Sequence, residues 1–235
     1  MRIKKLLDNH SMFKTIALNF LKGILAGLAI GLGGFLFILM THLIDGELGK
    51  ILGSTLFSIG LFLVCTFKLS LYTGKIGCVY EGKQEPAFYI SLPIMLIGNA
   101  IGAFALGYLC FFIFKDMEIM KTVEAACSSR TTLETFNDYL ACIMKSILCG
   151  TCVYLAVKCF NLNRLKPLGI SLLVFFVFLF VYCGFQHCIA NMFYFGFGNW
   201  INPKTFINLA LVIAANSIGP IIGVGISQLF NKNKA

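Results

Sequence analysis

Charge is what this chain has least of. Only 12% of its 235 residues are Asp, Glu, Lys or Arg, against about 25% in ordinary soluble domains, and that shortage excludes a water-soluble globular protein. Polar sequence long enough to build a soluble domain beside the apolar runs is also missing. The basic start, Met-Arg-Ile-Lys-Lys, resembles that of a signal peptide, but the apolar run behind it is too long and lacks a small-residue cleavage site, so it reads as a span. Lys and Arg number 19 against 10 acids, a net charge of +9. They lie beside apolar runs, with no basic stripe, which argues against a nucleic-acid partner. The ten cysteines lie mostly within the apolar runs, where a thiol behaves as a small apolar group, so neither a metal site nor a cofactor is expected.

What remains is hydrophobic sequence: 58% of residues, with a mean hydropathy of +0.86. Six apolar stretches, at about 16–40, 51–72, 87–114, 139–160, 168–198 and 205–230, are each long enough to cross a hydrocarbon core that requires about 20 helical residues. The chain therefore reads as one all-α polytopic domain over 1–235, embedded in a lipid bilayer. With both termini inside, the inner segments hold Arg2, Lys4, Lys5, Lys14, Lys22, Lys75, Lys83, Lys158, Arg164, Lys166, Lys232 and Lys234, and the outer ones Lys50, Lys115, Lys121, Arg130 and Lys204. That asymmetry satisfies the positive-inside rule for a multi-pass protein of the plasma (inner) membrane with cytoplasmic termini.

Two phrases recur. Leu21-Lys-Gly-Ile-Leu-Ala-Gly27 matches Met144-Lys-Ser-Ile-Leu-Cys-Gly150 at an offset of 123, and Asn99-Ala-Ile-Gly102 matches Asn216-Ser-Ile-Gly219 at an offset of 117. Two matches in the same order imply homologous halves, about 14–114 and 138–230. Three spans is an odd number, so the halves are expected to be inverted relative to each other, with the working site where corresponding spans are interrupted. The second stretch breaks at 69–77, with Ser70, Thr73, Gly74 and Lys75, and the fifth at 184–193, with Gln186, His187 and Asn191. Thr73 and His187 are 114 residues apart. Polar groups at matched breaks are expected to line a cavity rather than face lipid.

Gly184-Phe-Gln-His-Cys-Ile-Ala-Asn-Met-Phe193 resembles the G-F-E-H-S-I-A-N-M-F signature of the formate/nitrite transporter family of pentameric anion channels, which includes hydrosulfide channels. Leu71-Tyr-Thr-Gly74 is similar to the family's L-F-T-G loop, and Phe57-Ser-Ile-Gly-Leu61, Gly98-Asn-Ala-Ile-Gly102 and Ile147-Leu-Cys-Gly150 extend the resemblance over essentially the whole chain. It implies an aquaporin-like fold of six spans, one pore per protomer and a homopentamer. It also implies a central histidine, His187, facing the loop threonine, Thr73, with Asn191 one turn further on. Two hydrophobic constrictions would flank them, drawn from Phe57, Leu61, Leu71, Tyr72, Val153 and Phe180. Arg130 is the nearest match to the family's vestibule lysine, about one turn out of register, and Lys14 is a similarly loose match on the inner side.

Ser70 and Gln186 stand where the family carries acids, and Gly150 where asparagine is common. The expected substrates are small monovalent weak-acid anions (formate, nitrite or hydrosulfide) together with protons, crossing the apolar zone as the neutral acid. The resemblance implies a channel or proton-coupled transporter and no enzyme, with no catalytic residue. A neutral-solute pore of aquaglyceroporin type is the alternative within transport, although the twin Asn-Pro-Ala boxes are missing and Asn202-Pro203 is followed by Lys204. A membrane thiol oxidoreductase using Cys149-Gly-Thr-Cys152 is the alternative outside it, although that spacing lacks a thioredoxin-type context.

Overall fold

The computed structural model describes residues 2–82, 84–162 and 166–232, and all regular structure among them is helical. In chain order the elements are α1 (Arg2–Leu43), α2 (Glu47–Thr66), α3 (Tyr72–Lys75), α4 (Cys78–Glu81), α5 (Pro86–Phe114), α6 (Ile119–Thr131), α7 (Phe136–Leu162), α8 (Pro167–Tyr182), α9 (Cys188–Phe197), α10 (Pro203–Ile218) and α11 (Pro220–Lys232). Five segments are helical, long and apolar enough to cross a membrane: Met12–Leu43, Glu47–Thr66, Pro86–Phe114, Phe136–Leu162 and Pro203–Leu229. The expected fifth stretch, 168–198, is divided into the shorter apolar helices α8 and α9. Of the cations assigned to inner segments, Lys83, Arg164 and Lys234 lie outside the described residues.

Both helix breaks are present, but they begin earlier than the sequence pattern places them. Residues 67–71 separate α2 from α3, and 183–187 separate α8 from α9. The helix ends are closed in the same way. Leu69 N–H donates to Val64 O at 2.9 Å and Lys68 N–H to Cys65 O at 3.3 Å; Phe185 N–H donates to Phe180 O at 2.9 Å and Gly184 N–H to Val181 O at 3.0 Å. These bonds form a Schellman motif at each end. The left-handed residue is Gly184 (φ 68°) in one and Lys68 (φ 51°) in the other. For a residue bearing a Cβ that conformation costs on the order of 1 kcal/mol.

Equally matched asparagines hold the two breaks. Asn99 accepts from Tyr72 N–H at 2.8 Å and donates to Gly23 O at 2.8 Å and Ser70 O at 2.9 Å. Asn216 accepts from Cys188 N–H at 2.9 Å and donates to Ser146 O at 2.8 Å and Gln186 O at 2.9 Å. A buried extended segment has no helical partners for its peptide groups, and each leftover group costs free energy. The asparagines supply those partners, and each pins the two residues flanking a single position: Leu71 in one break, His187 in the other.

Glycines allow the helices that carry these asparagines to come close enough. A Cβ on Gly27 would overlap the Asn99 carbonyl and one on Gly102 the Ile24 carbonyl; in the same way Gly150 meets the Asn216 carbonyl and Gly219 the Ile147 carbonyl. Small residues at crossings are how helices without a water-driven hydrophobic force between them gain dispersion contact. The recurrent Lys-x-Ile-Leu-x-Gly and Asn-x-Ile-Gly phrases are thus the two sides of the same crossing, used twice.

Candidate functional site

The breaks meet at a hydrogen bond. Thr73 Oγ1, near the start of α3, lies 2.8 Å from His187 Nε2, and both residues are buried, at 0% and 2% exposure. His187 is also the N-cap of α9, its Nδ1 accepting the Ala190 N–H at 3.3 Å. An imidazole nitrogen that accepts a backbone N–H carries no proton, so in the neutral ring Nε2 bears the hydrogen and donates it to Thr73. The Asn216 contacts hold the backbone on either side of His187.

His187 forms part of the floor of a cavity of about 380 Å³ whose lining includes Phe57, Phe180, Arg130, Asn191 and Lys50. The Phe57 and Phe180 rings meet edge-on with centroids 5.7 Å apart, and Phe180 stands 6.0 Å from the imidazole. Arg130 comes from α6, outside the apolar stretches. Its Nε donates to Asn191 Oδ1 at 3.0 Å and its guanidinium lies 4.3 Å from the centre of the Tyr194 ring. Asn191 is held in turn: its Nδ2 donates to Gln186 Oε1 and Asn208 Oδ1, both at 3.0 Å, while Asn208 Nδ2 donates to Gln186 Oε1 at 2.8 Å and to Arg130 O at 2.9 Å. Neutral amides therefore fill the place of the acid expected at Gln186. At Ser70 the hydroxyl donates to Asn19 Oδ1 at 2.8 Å.

A second cavity, of about 210 Å³, is lined by Leu71, Val64, Val157, Lys68, Lys75 and Asn161 among others, and it shares no lining residue with the first. Between the two stands an apolar block with the Thr73–His187 pair inside it. Phe57 and Phe180 face the first cavity and Leu71 the second. Leu61 and Val153 are buried in the main core, at 2% and 1% exposure, and line neither cavity. Tyr72 is turned aside into a separate cluster with Leu92 and Met95, its hydroxyl 2.8 Å from Ser217 Oγ. Lys14 is exposed and lines neither cavity; Lys68 and Lys75 line the second.

Sequence reasoning missed Asn208, Val157 and the aromatic seat that Tyr194 gives Arg130. Asn208 left one trace, a lone amide in an apolar helix. Cys149 and Cys152 are buried within α7, are not joined by a disulfide and line neither cavity.

Comparison with known proteins gives a consistent placement. The model of the "Formate/nitrite transporter" family matches residues 7–230. A formate-nitrite transporter of Plasmodium falciparum (isolate 3D7) is 24% identical, over 89% of this chain and 76% of that protein. The formate channel FocB of Escherichia coli (strain K12) is also 24% identical, over 88% and 77%. Among solved structures, a pentameric formate channel with formate bound superposes with a TM-score of 0.77 at 22% identity, covering 93% of this chain and 98% of the other. An ion channel described as of the FNT family does so with 0.77 at 18% identity, covering 95% and 97%. With this match over nearly its whole length and its apolar helices, the chain is a multi-pass membrane protein and belongs to the formate/nitrite transporter family.

Proposed function

We propose that the protein is a channel for small monovalent weak-acid anions (formate, nitrite or hydrosulfide) that crosses the apolar block as the neutral acid. The carrying observation is the buried Thr73–His187 hydrogen bond, set between two separate cavities of which one is lined by Arg130 and the other by two lysines. Membership of the family and the likeness to a formate channel support the reading.

An isolated anion in a low-dielectric passage faces a Born penalty of tens of kcal/mol, so it neutralises instead. Protonating an acid of pKa near 4 at pH 7 costs only about 4 kcal/mol. Arg130 gathers the anion in the 380 Å³ cavity, aimed by Asn191 and Tyr194. At its floor the Phe57–Phe180 pair excludes water, and the substrate meets His187, whose Nε2–H is shared with the buried Thr73 hydroxyl behind it. With Nδ1 taken by the Ala190 N–H, the ring is neutral and acts as a hydrogen-bond donor, and the proton that neutralises the anion is drawn from hydronium in the cavity water, which is left as water. Phe57, Leu61 and Phe180 form the constriction on one side of the histidine, and Leu71, Tyr72 and Val153 that on the other, Tyr72 reaching the passage only on a change of rotamer.

In this reading the chain has six spans in two inverted repeats, 14–114 and 138–230, with the second and fifth interrupted. The matched asparagine clamps, Schellman closures and glycine crossings support the repeat. Five copies assemble around a fivefold axis, as in the pentameric relative. Both termini face the cytoplasm of a plasma (inner) membrane, which places the Arg130 cavity outside and leaves Lys14, in the N-terminal part of α1, on the cytoplasmic side but away from the cavity lined by Lys68 and Lys75.

The test is stopped-flow flux in proteoliposomes with formate, nitrite, hydrosulfide and glycerol, for the native protein and His187→Ala. Selective, saturable anion flux that falls in the variant is expected. Glycerol flux alone, or anion flux indifferent to the histidine, would overturn the proposal.

A further inference from the structure

Tyr194 directly follows the signature run and supplies the ring over which the Arg130 guanidinium lies, 4.3 Å from its centre. That contact uses the face of the ring and leaves its hydroxyl edge unexplained. Tyr194 is 2% exposed and lines the 380 Å³ cavity, and its hydroxyl has no hydrogen-bond partner among the described residues. The side-chain polar atoms sealed off without a partner, among the described residues, are Ser54 Oγ and Thr66 Oγ1. The Tyr194 hydroxyl is not one of them, so it keeps an opening, and that opening is to the cavity its residue lines. The other side-chain hydroxyls of the lining are engaged: Thr41 Oγ1 donates to Phe37 O at 2.9 Å, Ser129 Oγ donates to Ala126 O at 3.0 Å, and Thr122 Oγ1 lies 3.5 Å from His42 Nδ1. On Arg130, Nε and Nη1 donate to Asn191 Oδ1 and Ala126 O, which leaves Nη2 without a partner among the described residues. A buried hydroxyl that nothing satisfies costs free energy, and a phenylalanine ring would also seat the guanidinium without that cost.

We infer that the Tyr194 hydroxyl is a substrate-contacting, specificity-determining group: while Arg130 holds one oxygen of a two-oxygen anion, formate or nitrite, the hydroxyl takes the other, and hydrosulfide is disfavoured. This rests on the anion-channel reading above and names the substrate class within it. A carboxylate or nitrite presents two acceptor oxygens, one for the guanidinium and one for the hydroxyl. Hydrosulfide presents a single sulfur, a weak acceptor, and gains from the cation alone. Neutralisation of the substrate adds a second reason. Arg130 can only donate, so it offers nothing to the O–H of the protonated acid, whereas a hydroxyl donates to the anion and accepts from the acid. The Tyr194 hydroxyl therefore keeps a hydrogen bond to the substrate through the change of charge that precedes entry into the apolar block.

Tyr194→Phe removes the hydroxyl and keeps the ring, and no hydrogen bond within the protein is lost with it. The experiment is flux of formate, nitrite and hydrosulfide from the Arg130 face at neutral pH, each measured above protein-free vesicles, for the native protein and Tyr194→Phe. The variant raises the half-saturating concentrations of formate and nitrite about fivefold, the worth of one net hydrogen bond, and leaves that of hydrosulfide native. The ratio of variant to native survives molar salt, which screens charges at a distance and not a contact hydrogen bond. The same shift for the two oxyanions with no hydrosulfide flux at all supports the inference equally. Unchanged half-saturation for formate and nitrite, the result if the hydroxyl binds only cavity water, overturns it. So does an equal rise for all three anions, the result of a distorted cavity, or a ratio that collapses in molar salt. A native protein that moves hydrosulfide but neither oxyanion overturns the inference and leaves the channel reading standing; one that moves none of the three overturns both.

Discussion

Replacing Asn216 by alanine removes three buried hydrogen bonds: the one accepted from Cys188 N–H and the two donated to Ser146 O and Gln186 O. In water-soluble proteins each such bond contributes about 1 kcal/mol net, and between membrane helices the average is about 0.6 kcal/mol. Three bonds with their partners left buried therefore place the loss at about 2–4 kcal/mol, or about 5–10 °C in Tm for a chain of this size. The sharper test is Asn216→Asp. The carboxylate keeps an acceptor for Cys188 N–H but turns an acceptor toward two carbonyl oxygens, where the amide had donated. If hydrogen bonding is what the residue does, Asp is at least as damaging as Ala despite its native shape; if the residue only fills space, Asp is close to native. Thermal unfolding in detergent, followed by intrinsic fluorescence, reads the difference. Because Gln186 O and Cys188 N flank His187, anion flux should fall in both variants along with stability. Asn99→Asp should match Asn216→Asp in Tm within about 3 °C, since its partners are equivalent. An Asn216→Asp protein of native Tm would refute the reasoning.

Thr73→Val leaves the His187 Nε2–H without its buried acceptor, at a cost of about 1–3 kcal/mol, so formate flux should drop about 5- to 150-fold while Thr73→Ser stays within about threefold; equal flux from both variants would argue against a polar role. Gly150→Ala places a methyl against the Asn216 carbonyl and should lower Tm by more than 5 °C, whereas Gly225→Ala, with open space around it, should leave Tm unchanged. At Glu81 burial acts to raise the carboxyl pKa, but the Lys158 and Tyr154 hydrogen bonds and the Lys158 charge outweigh it, so the pKa lies below the ordinary carboxylate value. A depressed pKa means the stabilisation is fully present above the unfolded value of about 4.3 and is lost as the pH falls through the folded one. The Tm difference between native protein and Glu81→Gln should accordingly be constant from pH 8 to pH 5 and shrink only below about pH 4; a difference that vanished already at pH 6 would sink the assignment.

The parts of this molecule that sequence made legible are those whose physics is local. Span length and hydropathy locate the long helices because a hydrocarbon core imposes a length. The two repeated phrases mark one crossing used twice because only glycine fits against the Asn99 and Asn216 carbonyls. Where each break begins was not legible. It depends on hydrogen bonds that close α2 at Lys68 and α8 at Gly184, and a lysine gives no local sign that it will adopt a left-handed conformation. The same limit applies to the partners of the site. Asn208 reaches Gln186 and Arg130 across intervals of 22 and 78 residues, and no periodicity connects residues so far apart. Tyr72 shows why position in a motif does not fix a side chain's role. Its backbone is held by Asn99 at the helix break, yet its ring finds Leu92, Met95 and the Ser217 hydroxyl. Register between the halves is itself a three-dimensional quantity. The offset of 114 pairs Thr73 with His187 as hydrogen-bonding neighbours, whereas the asparagine clamps equate His187 with Leu71. One half thus contributes a leucine at the position where the other contributes an imidazole, and that exchange gives a pseudo-symmetric scaffold a single polar centre rather than two.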